Sequence, residues 1–412
     1  MAESPIIIAR RWELTNEILG AGAYGKVYKG VDLETKEYVA IKFFDSTHAT
    51  VDNLKEAKDE TNLLKFISQF NIPGVVKLLA GPVATTSGWY AVYNLINGNE
   101  LLDYLVHIKA SDLKVDDQKI VSEGLYSMMV ELCETVKSIC DICIVHQDLK
   151  PQNIMKLKGK DRVTVIDFGL ACVRSNCSFR TSEGRVKPSS TLPQCADFTA
   201  GTPGYNPPEH TYPRDLPRSE RRIDVYALGR VLYDMGSGRL YLNGTERKRW
   251  RDFSAYDLKN ELERHSTGIA ELDALIAKMM MPQADLRLTI NQAVQQIQDI
   301  NLNGRPFAIT KMGIRNRSMV NPELKAADDA FGVASKQPSR PPQREQPMAN
   351  SELKAADDAF GDVGRNPSRP LQESVVTDYL PDSAELPSSE MRRALGINSQ
   401  DSSNTDYLPD TP

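Results

Sequence analysis

A glycine-rich segment at residues 19–27, LGAGAYGKV, places Gly20, Gly22 and Gly25 in the spacing G-x-G-x-x-G-x-V. In a dinucleotide-binding fold such glycines open a helix. Here the residues after Gly25 follow the pattern of a strand, so the dinucleotide-binding fold is excluded. The sequence predicts instead a hairpin whose backbone N–H groups approach a phosphate, because glycine has no Cβ to block that approach. An ordinary glycine-rich hairpin is the alternative.

The segments around this hairpin predict two lobes of different secondary structure. Strands, a helix and further strands come first, and helical patterns prevail from about residue 100. The predicted strands are residues 25–32, 38–44, 75–83 and 88–96, with a turn at residues 33–37 and a helix over residues 52–70. The fold class is therefore α+β, with a small β-rich first lobe carrying one main helix and a larger, mostly helical second lobe.

Composition changes near residue 302, where Pro, Ser, Asn and Asp become frequent and large apolar residues become rare. Such a composition predicts a disordered tail over residues 302–412. The tail repeats itself: ELKAADDAFG occurs at residues 323–332 and 352–361, and TDYLPD occurs at residues 377–382 and 405–410. Two copies are too few for a repeat fold. We interpret them as linear motifs that dock partner proteins, with neutral duplication as the alternative.

The chain of 412 residues has a formal net charge of −5, which gives no reason to expect a nucleic-acid partner. No apolar run approaches the roughly 20 residues of a membrane-spanning helix, so no membrane partner is expected. Six cysteines in a chain of this length are not the dense pattern of a small disulfide-stabilised secreted domain. We expect a soluble, intracellular protein of the cytoplasm or nucleus, or of the host cell if the source is a virus or a bacterium.

A lysine inside an apolar strand is the next feature that points to chemistry. Lys42 stands in VAIKFF, where its charge is costly unless it is paired. Glu60 is the expected partner, preferred over Glu56 because the buried face of the helix continues directly after it. Such a pair would leave Lys42 facing a bound phosphate. A surface lysine whose stem alone is buried is the alternative.

Two loops carry the remaining polar groups. Asp167 follows an apolar strand in VTVIDFGLA, and a carboxylate there suits a magnesium ion that also binds phosphate oxygens. In VHQDLKPQN, Pro151 prevents a regular helix. Asp148 can orient a hydroxyl or accept its proton, Lys150 can neutralise a transferring group, and Asn153 can supply a second metal ligand.

In this order and spacing the motifs closely resemble those of the eukaryotic-type serine/threonine protein kinases. The resemblance covers about residues 12–301, with the N-lobe at 12–94, the C-lobe at 97–301 and an N-terminal extension at 1–11. Further matches are GTPGYNPPE at residues 201–209, DVYALG at residues 224–229, and Arg287, which in this family usually pairs with a glutamate, here Glu209. Lys150 and Thr202 follow the serine/threonine rather than the tyrosine kinase pattern.

The resemblance implies an enzyme that transfers the γ-phosphoryl group of ATP to serine and threonine hydroxyls of proteins, with Mg²⁺ or Mn²⁺. The implied catalytic residues are Lys42, Glu60, Asp148 and Lys150, and the implied metal ligands are Asn153 and Asp167. The implied nucleotide-binding residues are Gly20, Gly22, Gly25, Val27, Ala40, Lys42, Asn94, Ile96 and Glu100, with Tyr93 at the back of the pocket. A pseudokinase scaffold and a kinase of small molecules are the rival interpretations.

Gln147 departs from the family pattern, because an arginine that receives an activation-loop phosphate usually stands there. A neutral amide cannot make that charge-assisted pair. Activity independent of loop phosphorylation is therefore expected, unless Arg174 or Arg180 supplies the charge. Cys140 and Cys143 are predicted to pack in the core.

Other cysteines and two basic runs leave alternatives open. The activation segment holds Cys172, Cys177 and Cys195, and a zinc or redox role for their thiols is the alternative to inert packing. The basic runs at residues 218–222 and 246–251 are predicted to be solvated, with a docking surface for acidic partners as the alternative.

Overall fold

A computed structural model describes the chain at residues 6–22, 25–45, 51–85, 88–181, 184–195, 201–211, 222–240 and 255–312. The repeated tail segments, the basic run at 246–251 and most of the run at 218–222 lie outside the described residues. Within the described ranges, no helix is both long enough and apolar enough to cross a membrane.

Antiparallel strands build the sheet of the first lobe in the order β1-β2-β3-β4-β6-β5. Their bounds are Ile6–Ile8 for β1, Trp12–Gly22 for β2, Gly25–Asp32 for β3, Tyr38–Asp45 for β4, Leu78–Thr85 for β5 and Gly88–Asn94 for β6. The predicted strand pair on either side of a turn is confirmed as β3 and β4. The strand predicted after the glycines is confirmed as β3, so the glycine-rich segment is a hairpin.

The sheet begins earlier than the sequence predicted. Residues 1–11 were expected to be an extension, yet Ile6–Ile8 pairs with β2, with Ile8 opposite Trp12. Ile8 is buried in an apolar cluster with Trp12 and Ile41 on one face of the sheet. A three-residue strand is too short to show a periodic pattern, which is why the sequence did not reveal it.

Alternation along β4 decides which of its side chains face the second lobe. Val39 and Ile41 are buried on one face, in the cluster with Ile8 and Trp12. Lys42 and Phe44 follow on alternate positions, so they point to the opposite face of the sheet. Phe44 joins the large core there, together with buried residues of the helix α1, Val51–Ser68. The strand period therefore directs Lys42 towards α1.

The second lobe is mainly helical. Its helices are α2 (Leu101–Ala110), α3 (Val115–Asp141), α4 (Pro208–Thr211), α5 (Ile223–Ser237), α6 (Ala255–Arg264), α7 (Ala270–Met279) and α8 (Ile290–Gln298). Every residue of α5 is buried, which makes it the central helix of the lobe. The α+β architecture with a β-rich and a helical lobe is thus confirmed.

Short strands of the second lobe carry the loops of interest. They are β7 (Gly98–Glu100), β8 (Ile144–Val145), β9 (Ile154–Leu157), β10 (Val163–Val165), β11 (Cys172–Val173), β12 (Phe179–Thr181) and β13 (Gly184–Val186). They pair as β10-β9-β7, β11-β8 and β12-β13. The loop after β8 and the loop after β10 both begin from buried strands, so their first residues are held firmly.

The folded chain also extends beyond the predicted boundary at residue 301. Leu302, Phe307 and Ile309 are buried in the main core, and Ala308–Lys311 forms a 3-10 helix. The apolar residues are widely spaced among polar ones, so the composition alone did not show this packing. The rest of the predicted tail lies outside the described residues.

A fully buried ion pair joins two distant parts of the second lobe. Arg287 donates to both carboxylate oxygens of Glu209, at 2.7 and 3.0 Å, and neither side chain is exposed. The guanidinium also donates to the carbonyls of Met281 and Arg222. The pairing expected from the sequence is therefore present. Breaking a buried pair leaves a charge without its partner, which is far more costly than losing an exposed pair.

We expect the substitution Arg287→Ala to lower the free energy of unfolding by about 3–5 kcal/mol, because it leaves the Glu209 carboxylate buried alone. Urea denaturation followed by circular dichroism measures the change.

The matched control is Arg162→Ala, which removes an Arg–Glu pair whose arginine side chain is 57% exposed. That control should cost at most about 1 kcal/mol. Equal losses in the two variants would show that the buried pair has no special role in stability.

Candidate active site

Lys42 joins three elements through its ammonium group. Its Nζ donates to Glu60 Oε2 of α1 at 2.7 Å and to Asp167 Oδ1 after β10 at 3.0 Å. Lys42 and Glu60 are both buried. Glu56, the other candidate partner on α1, is exposed. The structure thus brings together Lys42, Glu60 and Asp167, which the sequence places far apart.

The protonation of this cluster follows from burial and charge. Burial alone would lower the pKa of Lys42, but the charges of Glu60 and Asp167 and their hydrogen bonds outweigh it, so the pKa is raised above its ordinary value. For Asp167, burial works to raise the pKa, but Lys42 outweighs it and the pKa is lowered. Lysine and aspartate are therefore both ionised at neutral pH.

Tyr93 is a member of this cluster that the sequence analysis did not place there. Its hydroxyl donates to Glu60 Oε1 at 2.8 Å. Burial, followed by the charge of Glu60, raises the pKa of Tyr93 well above its ordinary value, so the hydroxyl stays a donor. Both oxygens of Glu60 are thus engaged, one by Tyr93 and one by Lys42. A buried tyrosine usually finds a hydrogen-bond partner, which was the available signal.

A second polar cluster surrounds Asp148 on the loop after β8. Lys150 Nζ donates to Asp148 Oδ2 at 2.7 Å and to Thr202 Oγ1 at 2.8 Å. Thr202 Oγ1 donates to Asp148 Oδ1 at 2.7 Å. Asn153 Nδ2 donates to the carbonyl and to Oδ2 of Asp148, at 2.9 and 3.0 Å. The predicted residues of this loop thus lie together, joined by Thr202 from the segment GTPGYNPPE.

The backbone of that loop is held from below by α5. Asp224 accepts hydrogen bonds from the backbone N–H groups of His146 and Gln147, at 2.7 and 2.9 Å. Gln147 has a φ of 66°, in the left-handed region that is strained for most residues. The two hydrogen bonds to Asp224 offset that strain and fix the backbone position from which Asp148 follows.

His146 connects the two polar clusters. Its Nε2 lies 3.2 Å from the carbonyl oxygen of Ile166, the residue before Asp167. Its ring packs against Phe168 with 4.8 Å between the ring centroids. Asp167 has a φ of 59°, so its carboxylate leaves the strand in an unusual direction, towards Lys42. The loop of Asp148 and the loop of Asp167 are therefore positioned by one buried histidine.

Oxygen atoms suited to a hard cation are present on Asn153 and Asp167. The amide nitrogen of Asn153 is committed to Asp148, which leaves the amide oxygen as its ligand atom. One oxygen of Asp167 binds Lys42 and the side chain stays 31% exposed. A carboxylate and an amide oxygen are the ligand types that Mg²⁺ prefers, so these two residues fit such an ion.

The glycine-rich hairpin lies between β2 and β3, where Gly22 pairs with Gly25. Gly25 has a φ of 128°, and a Cβ there would collide with the carbonyl oxygen of Phe43. Among the described residues other than its chain neighbours, a Cβ on Gly20 would meet no atom within 4 Å. The fold therefore requires a glycine at position 25, whereas packing gives no reason for the glycine at position 20.

The other predicted nucleotide-binding residues lie along β3, β4 and the segment after β6. Val27 pairs with Lys42 across β3 and β4, and Ala40 pairs with Tyr93 across β4 and β6. Ile96 is half-buried between β6 and β7. The side chain of Asn94 accepts a hydrogen bond from the backbone N–H of Lys77, which leaves its contribution to the segment structural.

Glu100, directly before α2, has an unusual protonation. Burial raises its pKa, the neighbouring Asp103 raises it further, and Lys150 opposes both, with a result of about 7. The protonated, neutral form of Glu100 is thus favoured relative to an ordinary exposed glutamate.

The cysteines differ from the prediction. Disulfide bonds were not expected, yet Cys143 is bonded to Cys177 and Cys172 to Cys195. Cys140 and Cys143 are both buried in the main core, as predicted, but of these two Cys140 alone keeps a free thiol. Within the part of the chain that the structure describes, no three His, Cys, Asp or Glu side chains cluster as a metal site. Cys172, Cys177 and Cys195 are all in disulfide bonds, so none of the three has a free thiolate to bind zinc.

Gln147 meets one of these disulfides. Its side-chain amide donates to the Sγ atom of Cys172. Arg174, one candidate for supplying a positive charge in its place, donates to the carbonyl of Cys140 and to Cys177 Sγ, both at 3.0 Å. Arg180 is exposed on β12. The side chain at position 147 is thus engaged by a sulfur atom rather than by an anion.

Comparison with known proteins agrees with this geometry. The family described as the protein kinase domain matches residues 14–297. The chain is 31% identical over 227 residues to serine/threonine-protein kinase PKH3 of Eremothecium gossypii, which covers 55% of this chain and 28% of that protein. It is 27% identical over 292 residues to CBL-interacting serine/threonine-protein kinase 2 of Arabidopsis thaliana, which covers 70% of this chain and 56% of that protein.

A third relative is serine/threonine-protein kinase tousled-like 2 of Homo sapiens, 27% identical over 230 residues, which is 54% of this chain and 28% of that protein. The chain thus spans between about a quarter and just over half of the length of these relatives. The family match covers more than half of the chain and includes both polar clusters, so the chain belongs to the protein kinase family.

Proposed function

We propose that the chain is an ATP-dependent serine/threonine protein kinase that transfers the γ-phosphoryl group of ATP to serine and threonine hydroxyls of proteins. The observation that carries the proposal is the pair of polar clusters, Lys42 with Glu60 and Asp167, and Asp148 with Lys150 and Thr202. The names of the matched relatives support the serine/threonine class.

On the nucleotide side, Lys42 binds phosphate oxygens while Glu60 holds its ammonium group in place. The hairpin with Gly20, Gly22 and Gly25 covers the phosphates, and the open space beside Gly20 supports this role. The base lies between the lobes against Val27 and Ala40 and binds backbone groups of residues 94–96, from Asn94 to Ile96. Glu100 binds the ribose.

On the acceptor side, Asp148 orients the substrate hydroxyl and accepts its proton. Lys150 donates to the transferring phosphoryl group, and Thr202 keeps Lys150 and Asp148 in register. Asn153 and Asp167 hold Mg²⁺ or Mn²⁺, which when bound neutralises charge on the phosphates. Catalysis then consists of positioning two reactants and stabilising the charge of the transferring group, for which the protein needs no covalent intermediate.

The domain boundaries and the two rival interpretations can now be compared with the structure. We propose a catalytic domain with an N-lobe ending at residue 94 and a C-lobe from residue 97, extended to residue 312. A pseudokinase scaffold is not supported, because Lys42, Asp148, Asn153 and Asp167 are all present and in contact with polar partners. A kinase of small molecules differs in its acceptor, which the experiment below separates.

The intracellular, soluble location predicted from the sequence stays a proposal. Disulfide bonds persist mainly in oxidising compartments, and the chain has two of them. Cell fractionation tests whether the chain is located inside the cell. Protein substrates are the proposed partners of the catalytic domain.

We expect Asp148→Asn and Asp167→Asn each to reduce phosphotransfer at least about 10²-fold without unfolding the chain. A positioned acid or base contributes typically 10²–10⁴-fold, and loss of a metal ligand removes electrostatic stabilisation. The measurement is transfer of radiolabelled phosphate from ATP to generic protein acceptors and to small-molecule acceptors, followed by identification of the labelled amino acid.

The control variant is Asp116→Asn, an aspartate at the start of α3 whose side chain is 91% exposed. It should keep wild-type activity. Labelled phosphate on small molecules but not on proteins would overturn the proposed substrate class. Activity within about threefold of wild type in both test variants, less than 1 kcal/mol of barrier, would overturn the assigned site.

The repeated tail motifs lie outside the described residues, and we propose that they dock protein partners. In each copy of ELKAADDAFG, a leucine, an alanine and a phenylalanine stand at positions i, i+3 and i+7, so they form one apolar stripe if the segment binds as a helix. A segment of this length is not stably helical alone, so binding and folding would be coupled. Two copies raise the effective concentration for one partner.

Replacing Leu324, Phe331, Leu353 and Phe360 by alanine together should remove partners in pulldown and lower phosphorylation of native substrates. Activity on a short peptide should not change, because the catalytic domain is intact. The matched control replaces Lys325 and Lys354, one on each motif, and should keep the partners. Unchanged partners and unchanged native-substrate phosphorylation in the fourfold variant would end the docking proposal.

A further inference from the structure

Two disulfide bonds hold the segment that follows Asp167. One joins it to Cys143, just before the strand that precedes the Asp148 loop, and the other joins two residues of the segment itself. Cys143, directly before β8, is bonded to Cys177, with Cα atoms 5.8 Å apart. Cys172 in β11 is bonded to Cys195, with Cα atoms 5.0 Å apart. The first bond connects positions 34 residues apart and the second positions 23 residues apart. The segment is therefore held by two covalent bonds, one to Cys143 and one between its own residues Cys172 and Cys195.

Hydrogen bonds that involve Arg174 hold the turn that carries Cys177. Arg174 N–H donates to the carbonyl of Cys143 at 2.9 Å, and the Cys177 N–H donates to the carbonyl of Arg174 at 3.3 Å. The guanidinium of Arg174 donates to Cys177 Sγ and to the Cys140 carbonyl. The disulfide therefore fixes the backbone position from which the chain continues to β12.

Phe179, two residues after Cys177, reaches from this turn to the helix that carries Glu60. Its ring centroid lies 6.4 Å from that of Phe66 on α1 and 5.4 Å from that of Phe70 just beyond α1. Phe66 and Phe70 themselves are 5.2 Å apart. Edge-on aromatic pairs of this kind add stability beyond the area that they bury. We call Phe66, Phe70 and Phe179 the aromatic contact.

The aromatic contact borders an open pocket. This pocket has a volume of about 380 Å³ and is lined by Phe70, Ile142 and Phe179 among others. Gln147, which stands where the family pattern has an arginine, is neutral and donates to Cys172 Sγ. The Cys143–Cys177 bond is a covalent link two residues before Phe179 in the chain.

We propose that the Cys143–Cys177 disulfide positions the catalytic machinery, by holding Phe179 against α1 and thereby Glu60 against Lys42, and that its reduction lowers the rate of phosphotransfer. The inference rests on the proposed kinase function. Cys143, Cys177 and Phe179 are positioning residues, since they touch neither substrate nor reacting atoms. The link from sulfur to Lys42 runs through one hairpin, one aromatic contact and one helix.

The reduction itself needs a dithiol as the reductant. A thiolate of the dithiol attacks the sulfur of Cys177, the half-buried residue of the pair, the S–S bond breaks, and Cys143 leaves as a thiolate that takes up a proton. The second thiol of the reductant then resolves the mixed disulfide and releases Cys177 as a thiol. In total two electrons and two protons pass to the protein, and the dithiol becomes a cyclic disulfide.

The experiment compares purified full-length chain, dephosphorylated beforehand, with and without dithiothreitol. Peptide mapping by mass spectrometry under non-reducing conditions should first find Cys143 bonded to Cys177. Reduction should then lower kcat about tenfold, a loss of the size expected when aromatic contacts that hold one helix are released, and the KM for ATP should change less than about threefold. Removal of the reductant and reoxidation should restore kcat.

Two variants separate positioning from general stability. Phe179→Ala should have the low rate whether oxidised or reduced, because the disulfide then has nothing to hold against α1. Phe179→Leu, which keeps apolar bulk, should recover part of the rate and part of the response to reduction. Non-additive behaviour of this kind is the signature of residues that act through one contact.

The matched disulfide controls are the double variants Cys143→Ser with Cys177→Ser, and Cys172→Ser with Cys195→Ser. Only the first should lose the response to dithiothreitol. An active wild type whose rate is the same oxidised and reduced would overturn the inference and leave the proposed function intact. So would absence of the Cys143–Cys177 bond on mapping. An inactive wild type in both states would count against the proposed function instead.

Discussion

The buried ammonium group of Lys42 is the interaction on which the arrangement of both lobes depends. A lysine charge in an apolar strand is stable only if it is paired, and here it is paired twice, with Glu60 from α1 and with Asp167 from the loop after β10. One side chain thereby requires the sheet, the helix and the second lobe to meet at one point. A shift of any of the three elements would leave at least one charge without its partner.

The other residues of the site stabilise this arrangement of Lys42, Glu60 and Asp167. Tyr93 engages the second oxygen of Glu60, and His146 bonds the carbonyl before Asp167 while its own backbone is held by Asp224. Through these bonds the Lys42 cluster and the Asp148 cluster share a rigid base. Side chains that are locked by such secondary contacts lose little further freedom when substrates bind, which is the condition for effective positioning.

Periodicity and motif spacing were sufficient to predict the lobes, the strands β3 and β4, the helix α1, and the pairing of Lys42 with Glu60 rather than Glu56. These features depend on local pattern and on which face of an element is apolar. The disulfides Cys143–Cys177 and Cys172–Cys195 were not predictable, because the pairing of cysteines depends on tertiary positions and not on their spacing. The hydrogen bond from Tyr93 and the buried end at Phe307 depend on tertiary contacts in the same way.

The most direct measurement of this account is kcat/KM for Glu60→Gln beside Glu56→Gln, two variants one helical turn apart on α1. Glutamine keeps the size of the side chain and removes its charge, so the first variant loses the ion pair with Lys42 and has a neutral group facing the Tyr93 hydroxyl. We predict that Glu60→Gln lowers kcat/KM about 10²-fold, about 2.7 kcal/mol of transition-state stabilisation, while Glu56→Gln stays within threefold of wild type. Equal effects of the two variants, with both proteins folded, would contradict the claim that the Lys42 ion pairs organise the site.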